Sequence, residues 1–212
     1  MGSANTIADE TKDRTRGRIL EAAFGVLTAH GYTGATTSEI AARAKVSKRE
    51  LYALFGNKQG ILAALIETGS SRMQMPLAVA AHIQTRTDLA AALTHYGANL
   101  LWEVFQPAPL ALHRLAMAEA ERSPEMARIL DEGGRNAQHR VMVGFLATAK
   151  ERKLLPDVAP DIMSRRFFAL LWGDLLLRLL LRLDEVPTRA AIAARAEAAT
   201  RDFLVLYAAP AP

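Results

Sequence analysis

Thr36-Thr37-Ser38-Glu39-Ile40-Ala41-Ala42-Arg43-Ala44-Lys45-Val46-Ser47-Lys48-Arg49-Glu50-Leu51-Tyr52-Ala53-Leu54-Phe55-Gly56-Asn57-Lys58 is the stretch on which the reading of this chain turns. It holds two hydroxyl-x-x-Glu sequences, Thr36 to Glu39 and Ser47 to Glu50, eleven residues apart. In such a box the hydroxyl accepts from the amide three residues on, while the carboxylate reaches back to the cap, so orphan donors of a helix start are satisfied. The pattern therefore predicts one short helix ending at Ala44, a tight turn at Lys45-Val46, and a second short helix ending near Phe55. On that second helix Leu51 and Phe55 are four apart and turn inward, leaving Lys48, Arg49, Tyr52 and Ala53 on the outer side.

Working outward, a first helix is expected from about Thr15 to His30, with Ile19, Ala22, Ala23, Phe24 and Leu27 at three-four spacing and Gly31 as its stop. Asn57 caps a fourth, longer helix whose buried face begins with Ile61, Leu62, Leu65 and Ile66. Its end, past Met75-Pro76, is left open. Beyond Thr87 the pattern reads as helices over Asp88–Phe105, Pro109–Arg122, Pro124–Arg152, Pro160–Asp184 and Thr188–Tyr207, with proline at the junctions. Ser123-Pro124 reads as a cap followed by proline at the first helical position, and Gly133-Gly134 as a kink. Ala and Leu supply about a third of the 212 residues and no alternating β-branched run occurs, so the chain is all-α.

Composition narrows the function classes. Half the residues are apolar, 23% are charged and none is Cys, which excludes disulfides, thiolate metal sites and a cysteine nucleophile. Met1 to Lys12 has no apolar core of signal-peptide type, so a cytoplasmic location is expected. Phe167 to Leu183, the greasiest stretch, contains Asp174, Arg178 and Arg182 and reads as a buried helix, not a membrane span. No phosphate-cradling glycine loop, histidine pair at metal spacing or Gly-x-Ser-x-Gly motif is present, and His30, His82, His95, His113 and His139 are scattered. An enzyme, a cofactor and a metal are therefore not expected.

Charge points elsewhere. Residues 1–60 carry nine Lys/Arg against six Asp/Glu, whereas the other 152 carry 17 against 16. The excess is densest from Ala41 to Lys58, where Arg43, Lys45, Lys48, Arg49 and Lys58 face Glu50 alone. Two capped helices, a tight turn and a packing helix form a helix-turn-helix arrangement, whose second helix can enter a DNA major groove. Lysine and arginine at its start suit phosphates or guanine edges, and Tyr52 offers a hydroxyl to a phosphate.

At Arg18-Ile19-Leu20-Glu21-Ala22-Ala23, Gly31-Tyr32, Thr36 to Ala41 and Val46 to Lys58 the chain resembles the TetR (tetracycline-repressor-like) family of transcriptional regulators. The resemblance runs from about Arg18 to Leu65. It implies DNA contacts at Thr37, Ser47, Lys48, Tyr52 and Lys58, to which the chemistry of its side chain adds Arg49 as a candidate. Three positions depart from the family: Lys45 and Arg49 replace a usual glycine, and Glu50 a usual Thr or Ser. Lys45 is expected to take a left-handed backbone at the turn. Arg49 either pairs with guanine or is a solvated surface arginine; Glu50 either caps its helix or accepts from a cytosine amino group.

The resemblance implies a flexible arm over 1–14, a three-helix DNA-binding bundle over 15–57 and a larger helical effector-binding and dimerisation domain over 58–212. The last two helices are expected to form the dimer interface, with Ile192, Ala196, Ala199, Phe203 and Leu206 as a close-packing stripe. An effector cavity among helices from Met73 to Phe168 would draw on Trp102, Phe105, His113 and Met117, which suit an apolar or aromatic small molecule. The expected function is a homodimeric, ligand-released repressor on a palindromic operator. The competing reading is a helical dimeric scaffold without DNA binding, whose basic face is solvated only; salt-dependent duplex binding separates the two.

Overall fold

A computed structural model describes residues 3–78 and 83–208, with side chains from 11–70 and 83–208; His82 and the Met73 side chain lie outside these. Every regular element among the described residues is helical. In chain order they are α1 (Ser3–Gly34), α2 (Thr37–Ala44), α3 (Lys48–Phe55), α4 (Lys58–Ala78), α5 (Arg86–Val104) and α6 (Pro107–Glu119). There follow α7 (Pro124–Leu130), a π turn (Asp131–Arg135), α8 (Asn136–Glu151), α9 (Pro160–Trp172), α10 (Leu175–Leu180) and α11 (Arg189–Leu206). No described helix is long and apolar enough to cross a membrane.

The chain forms two compact units, and they do not follow the linear division expected at residue 58. Residues 1–68 and 111–133 make the first, 69–110 and 134–212 the second. The reason lies in the first unit's core. Ile19, Ala23, Val26, Leu27, Ile40, Leu51, Ile61 and Leu62 from α1–α4 are buried, and Leu112, Ala116 and Met126 of α6–α7 join the same cluster. A bundle of short helices gains apolar cover from a segment some fifty residues downstream.

The arm expected over 1–14 is helical from Ser3, continuous with the first helix. That helix breaks at Gly31, as its stop signal requires, with φ 74° and ψ 171°. A Cβ at Gly31 would lie 2.6 Å from Oε1 of Glu119. The same carboxylate accepts from the Thr33 hydroxyl at 2.9 Å. Ser123 does not cap α7 with its side chain; its hydroxyl lies 3.0 Å from that of Thr33 instead. Pro124 does occupy the first turn.

In the second unit α5 is covered by α11 along its length. Gly97 permits this approach, because a Cβ there would meet Leu171 at 3.1 Å and the Ala196 methyl at 3.4 Å. The stripe Ile192, Ala196, Ala199 and Phe203 is thus buried inside its own subunit, and of the five residues expected there Leu206 alone is exposed. Phe203 meets Phe167 edge-on, ring centroids 5.5 Å apart. Ser164 Oγ and His139 Nδ1, 2.8 Å apart, and His139 Nε2 and Asp161, 2.7 Å apart, tie α8 to α9. Hydrogen bonds from Arg165 and His139 hold the Asp161 carboxyl below its ordinary range.

The single helix expected over Pro160–Asp184 is two. Gly173 takes φ 48° and ends α9, and the Arg195 guanidinium donates to the freed carbonyls of Leu171 and Trp172 at 2.7 and 2.6 Å. The break turns Leu177, Leu181 and Leu183 outward, each more than half exposed. Gly133-Gly134 fall within the π turn, so the disturbance expected there is a local widening of the helix.

Candidate nucleic-acid interface

The two short helices form where their caps dictate. The Thr36 hydroxyl accepts from the Glu39 amide at 3.2 Å, but Glu39 does not complete a box; its carboxylate lies 3.0 Å from His30 Nε2 of α1. The second box is complete. The Ser47 amide and hydroxyl both donate to Glu50 Oε2, at 2.8 and 2.7 Å, and the Glu50 amide donates to Ser47 Oγ at 3.1 Å. These bonds, the backbone donor first, hold the Glu50 carboxyl below its ordinary value. Glu50 is therefore engaged as a cap before any base is offered to it.

Between the caps Lys45 is left-handed, φ 55° and ψ 48°, and its amide donates to the Ala42 carbonyl. A non-glycine residue there strains the backbone by roughly 1 kcal/mol while placing a further cation at the turn. Leu51 and Phe55 anchor α3 in the core, and Lys48, Arg49, Tyr52 and Ala53 are exposed on the opposite side. The α3–α4 corner depends on Gly60. Asn57 caps α4 by accepting from the Gly60 amide at 2.8 Å, and a Cβ on Gly60 would sit 2.0 Å from the Phe55 carbonyl oxygen. The cap was legible in the sequence; the need for glycine was not, because it arises where two helices meet.

The expected contact residues fall into two groups. Thr37, Ser47, Lys48, Arg49 and Tyr52 come together on the outer side of α2–α3. The Thr37 and Tyr52 hydroxyls are 3.0 Å apart, so one donates to the other and the pair keeps one O–H for a phosphate oxygen. Ser47 is more committed, its hydroxyl already donating to the Glu50 carboxylate. Lys58 stands apart. Its ammonium donates to the carbonyls of Tyr32 at 2.7 Å and Ala35 at 3.2 Å, and lies 4.3 Å from the centre of the Tyr32 ring. Two of its three donors thus hold the α1–α2 connection onto the start of α4.

The four residues expected around an effector do not share a unit. Trp102 and Phe105 belong to the second unit, His113 and Met117 to the first. Phe105 is fully buried, edge-on to Trp172 at 6.0 Å, while Trp102 is half-buried under the Arg189 guanidinium at 3.9 Å. Met117 is exposed.

A basic, pre-capped helix presented by a small bundle defines a helix-turn-helix DNA-binding protein. Residues 19–65 match the family described as bacterial regulatory proteins, tetR family, and residues 91–209, more than half the chain, match the C-terminal domain of AefR-like transcriptional repressors. The chain belongs to the TetR family of DNA-binding transcriptional regulators.

Among its relatives, the HTH-type transcriptional regulator YvkB of Bacillus subtilis is 41% identical over 90 residues, 42% of this chain and 45% of that protein. The chain thus spans under half of YvkB's length in that match. The HTH-type transcriptional repressor SCO4008 of Streptomyces coelicolor is 27% identical over 74% of this chain and 77% of its own. In fold, the Flavonoid-responsive Regulator FrrA superposes with a TM-score of 0.72 and 28% identity, over 92% of this chain and 97% of that one.

Proposed function

We propose that the protein is a homodimeric repressor that reads a palindromic operator with α3 and is released by an apolar or aromatic small molecule. The observation that carries this reading is the face of α3: Lys48, Arg49 and Tyr52 are exposed at the start of a helix whose cap is complete and whose Leu51 and Phe55 are fully engaged in the core. Such a helix needs no reordering to enter a groove. Thr37, Ser47, Lys48 and Tyr52 would grip phosphates and Arg49 a guanine edge, while Lys58 acts by holding the reading head on α4.

Dimerisation is supported by apolar surface the subunit leaves uncovered. Leu177, Leu181, Leu183 and Val186 are exposed within ten residues of chain, as are Val205 and Leu206 at the end of α11. Leucines in such numbers on one segment favour a second copy, and two-fold symmetry lets one patch serve both partners. A dimer would present two α3 helices to half-sites about one DNA turn, ~34 Å, apart.

Effector response is supported by α4, which begins at the reading head and whose residues from Gly69 onward belong to the second unit. There Ser70 is held by buried hydrogen bonds: the Gln138 amide donates to its Oγ at 2.9 Å, and the Tyr96 hydroxyl donates to Gln138 Oε1 at 3.0 Å. A compound that repacks the second unit beside Trp102 and Phe105 acts on the helix that carries the head. Release from 1:99 to 99:1 needs a preference of ~5.5 kcal/mol between the two arrangements. FrrA, by its title, responds to flavonoids, and we extend that aromatic class here.

The test is selection of duplexes from random-sequence DNA by the purified protein, then a screen of aromatic compounds for their release. A recovered inverted repeat, bound with strong salt dependence, is the expected result. Absence of duplex affinity at low salt would overturn the reading. Sedimentation of Leu177→Ser/Leu181→Ser, expected to be monomeric, tests the dimer.

A further inference from the structure

The segment from Gly31, where α1 breaks, to Ala35 is held from two directions. On one side the Lys58 ammonium donates to the Tyr32 and Ala35 carbonyls. On the other stands the corner between α6 and α7, which lies far outside the helix-turn-helix in sequence yet within the same compact unit. The corner is closed by its own backbone: the Arg122 and Ser123 amides donate to the Glu119 carbonyl at 3.0 and 2.7 Å. From it a chain of hydroxyls ends on a carboxylate. The Thr33 hydroxyl donates to Glu119 Oε2 at 2.9 Å and has one proton, so Ser123 Oγ, 3.0 Å away and buried, is the donor to Thr33. Donation toward a charged acceptor strengthens both bonds. Gly31 completes the fit. Its φ is 74°, and a Cβ on it would stand 2.6 Å from Glu119 Oε1, so the carboxylate fills the space a side chain would need. The first turn of α7 faces the same segment: burial, then the charge of Glu125, holds the Tyr32 hydroxyl above its ordinary value.

We propose that Glu119 is a positioning residue for DNA binding: with Thr33 and Ser123 it fixes the α1–α2 connection, and through it the pose of α2 and α3 on α1. The inference rests on the proposed reading of α3 and adds a determinant of affinity that touches no DNA. The physical reason is direction. Apolar burial of α2 and α3 is non-directional and leaves them free to slide on α1, whereas hydrogen bonds to the connection hold it at one place. Thr36, which caps α2, and Thr37, whose hydroxyl meets that of Tyr52, follow Thr33 by three and four residues. A shift of the connection is therefore passed at once to the face that meets phosphates.

The test uses the full-length chain and a fluorescein-labelled duplex carrying the inverted repeat that the parent selects, read by anisotropy across a salt series. Glu119→Ala should weaken binding about tenfold, the worth of one hydrogen bond to a charged group, and Thr33→Val about as much. The double variant should be no weaker than either, because one shared bond is lost once. Glu119→Gln keeps an acceptor oxygen without the charge and should recover most of the loss, which separates the bond from any repulsion between carboxylate and phosphate. The slope of log K against log salt should match the parent's throughout, since no phosphate contact is removed. Circular dichroism melts check that each variant is folded at the assay temperature; Thr33 is exposed, so Thr33→Val still decides if Glu119→Ala does not fold. Parental affinity in the single variants, losses that simply add, or equal weakening by Gln and Ala at position 119 would overturn the role of Glu119 and leave the α3 reading in place. A parent that selects no duplex would overturn both.

Discussion

The reading head and the second unit are both helical, yet they are specified in different ways. In the reading head the starts of α2, α3 and α4 are each set by a bond between residues three apart: Thr36 with Glu39, Ser47 with Glu50, Asn57 with Gly60. In the second unit the break between α9 and α10 is held instead by a distant partner, Arg195, against the carbonyls beside Gly173, although Thr188 caps α11 locally. Local bonds survive any arrangement of the remainder of the chain. Packing choices do not, because a leucine-rich segment offers several faces of nearly equal worth and the neighbours decide which is covered.

The contrast is broken or sharpened by substitution, and the largest effect belongs to the second unit. Phe203→Ala removes a ring that α11 buries against Phe167, and should lower subunit stability by ~3–5 kcal/mol, read by denaturant melts of Trp102 and Trp172 fluorescence. If Phe203 served instead as a dimer contact, sedimentation would show the variant dissociated while the subunit kept its stability. Next, Gly60→Ala forces a Cβ into the Phe55 carbonyl and should cost the head about 3 kcal/mol, with DNA affinity lost first. Because both tryptophans belong to the second unit, their fluorescence melt should move less than circular dichroism. Equal shifts by both probes would mean that the two units melt together.

Smaller effects test the caps. Ser47→Ala should cost about 1 kcal/mol and reduce duplex affinity, as α3 loses its preset start. Glu50 lies lowered in the folded chain, so its contribution is fully present above the ordinary carboxylate value and is lost as pH falls through the lowered one. Melts of Glu50→Gln and the parent should therefore differ by a constant amount near neutrality and converge in acid. Asp88 is lowered in the same way by Thr85 and by the Gln84 and Thr85 amides, and predicts the same convergence for α5. The smallest change is a gain. Thr200, buried in α11 with no hydrogen-bond partner for its hydroxyl among the described residues, should yield about 1 kcal/mol of added stability as Thr200→Val, measured by thermal melting.

Much of the site was legible before any coordinates. The complete box at Ser47–Glu50, the left-handed Lys45, the inward Leu51 and Phe55 and the outward Lys48, Arg49 and Tyr52 all follow from spacing or from the family pattern. Legibility failed where a side chain had a choice. Glu39 is three residues from its cap but bonds to His30, and Lys58 turns to carbonyls of the α1–α2 connection. Both alternatives are bonds of comparable strength to residues far along the chain, so only folding could select between them.

The chain's own letters therefore determined that it is helical, where its short helices start, and which side of α3 carries charge, since each depends on atoms within one or two turns. The tertiary structure decided that residues 111–133 complete the first unit, that Gly173 divides an apolar helix, and that Ile192, Ala196, Ala199 and Phe203 are buried within their own subunit. Burial is non-directional, and which of several apolar faces it claims is settled by the shapes that meet there.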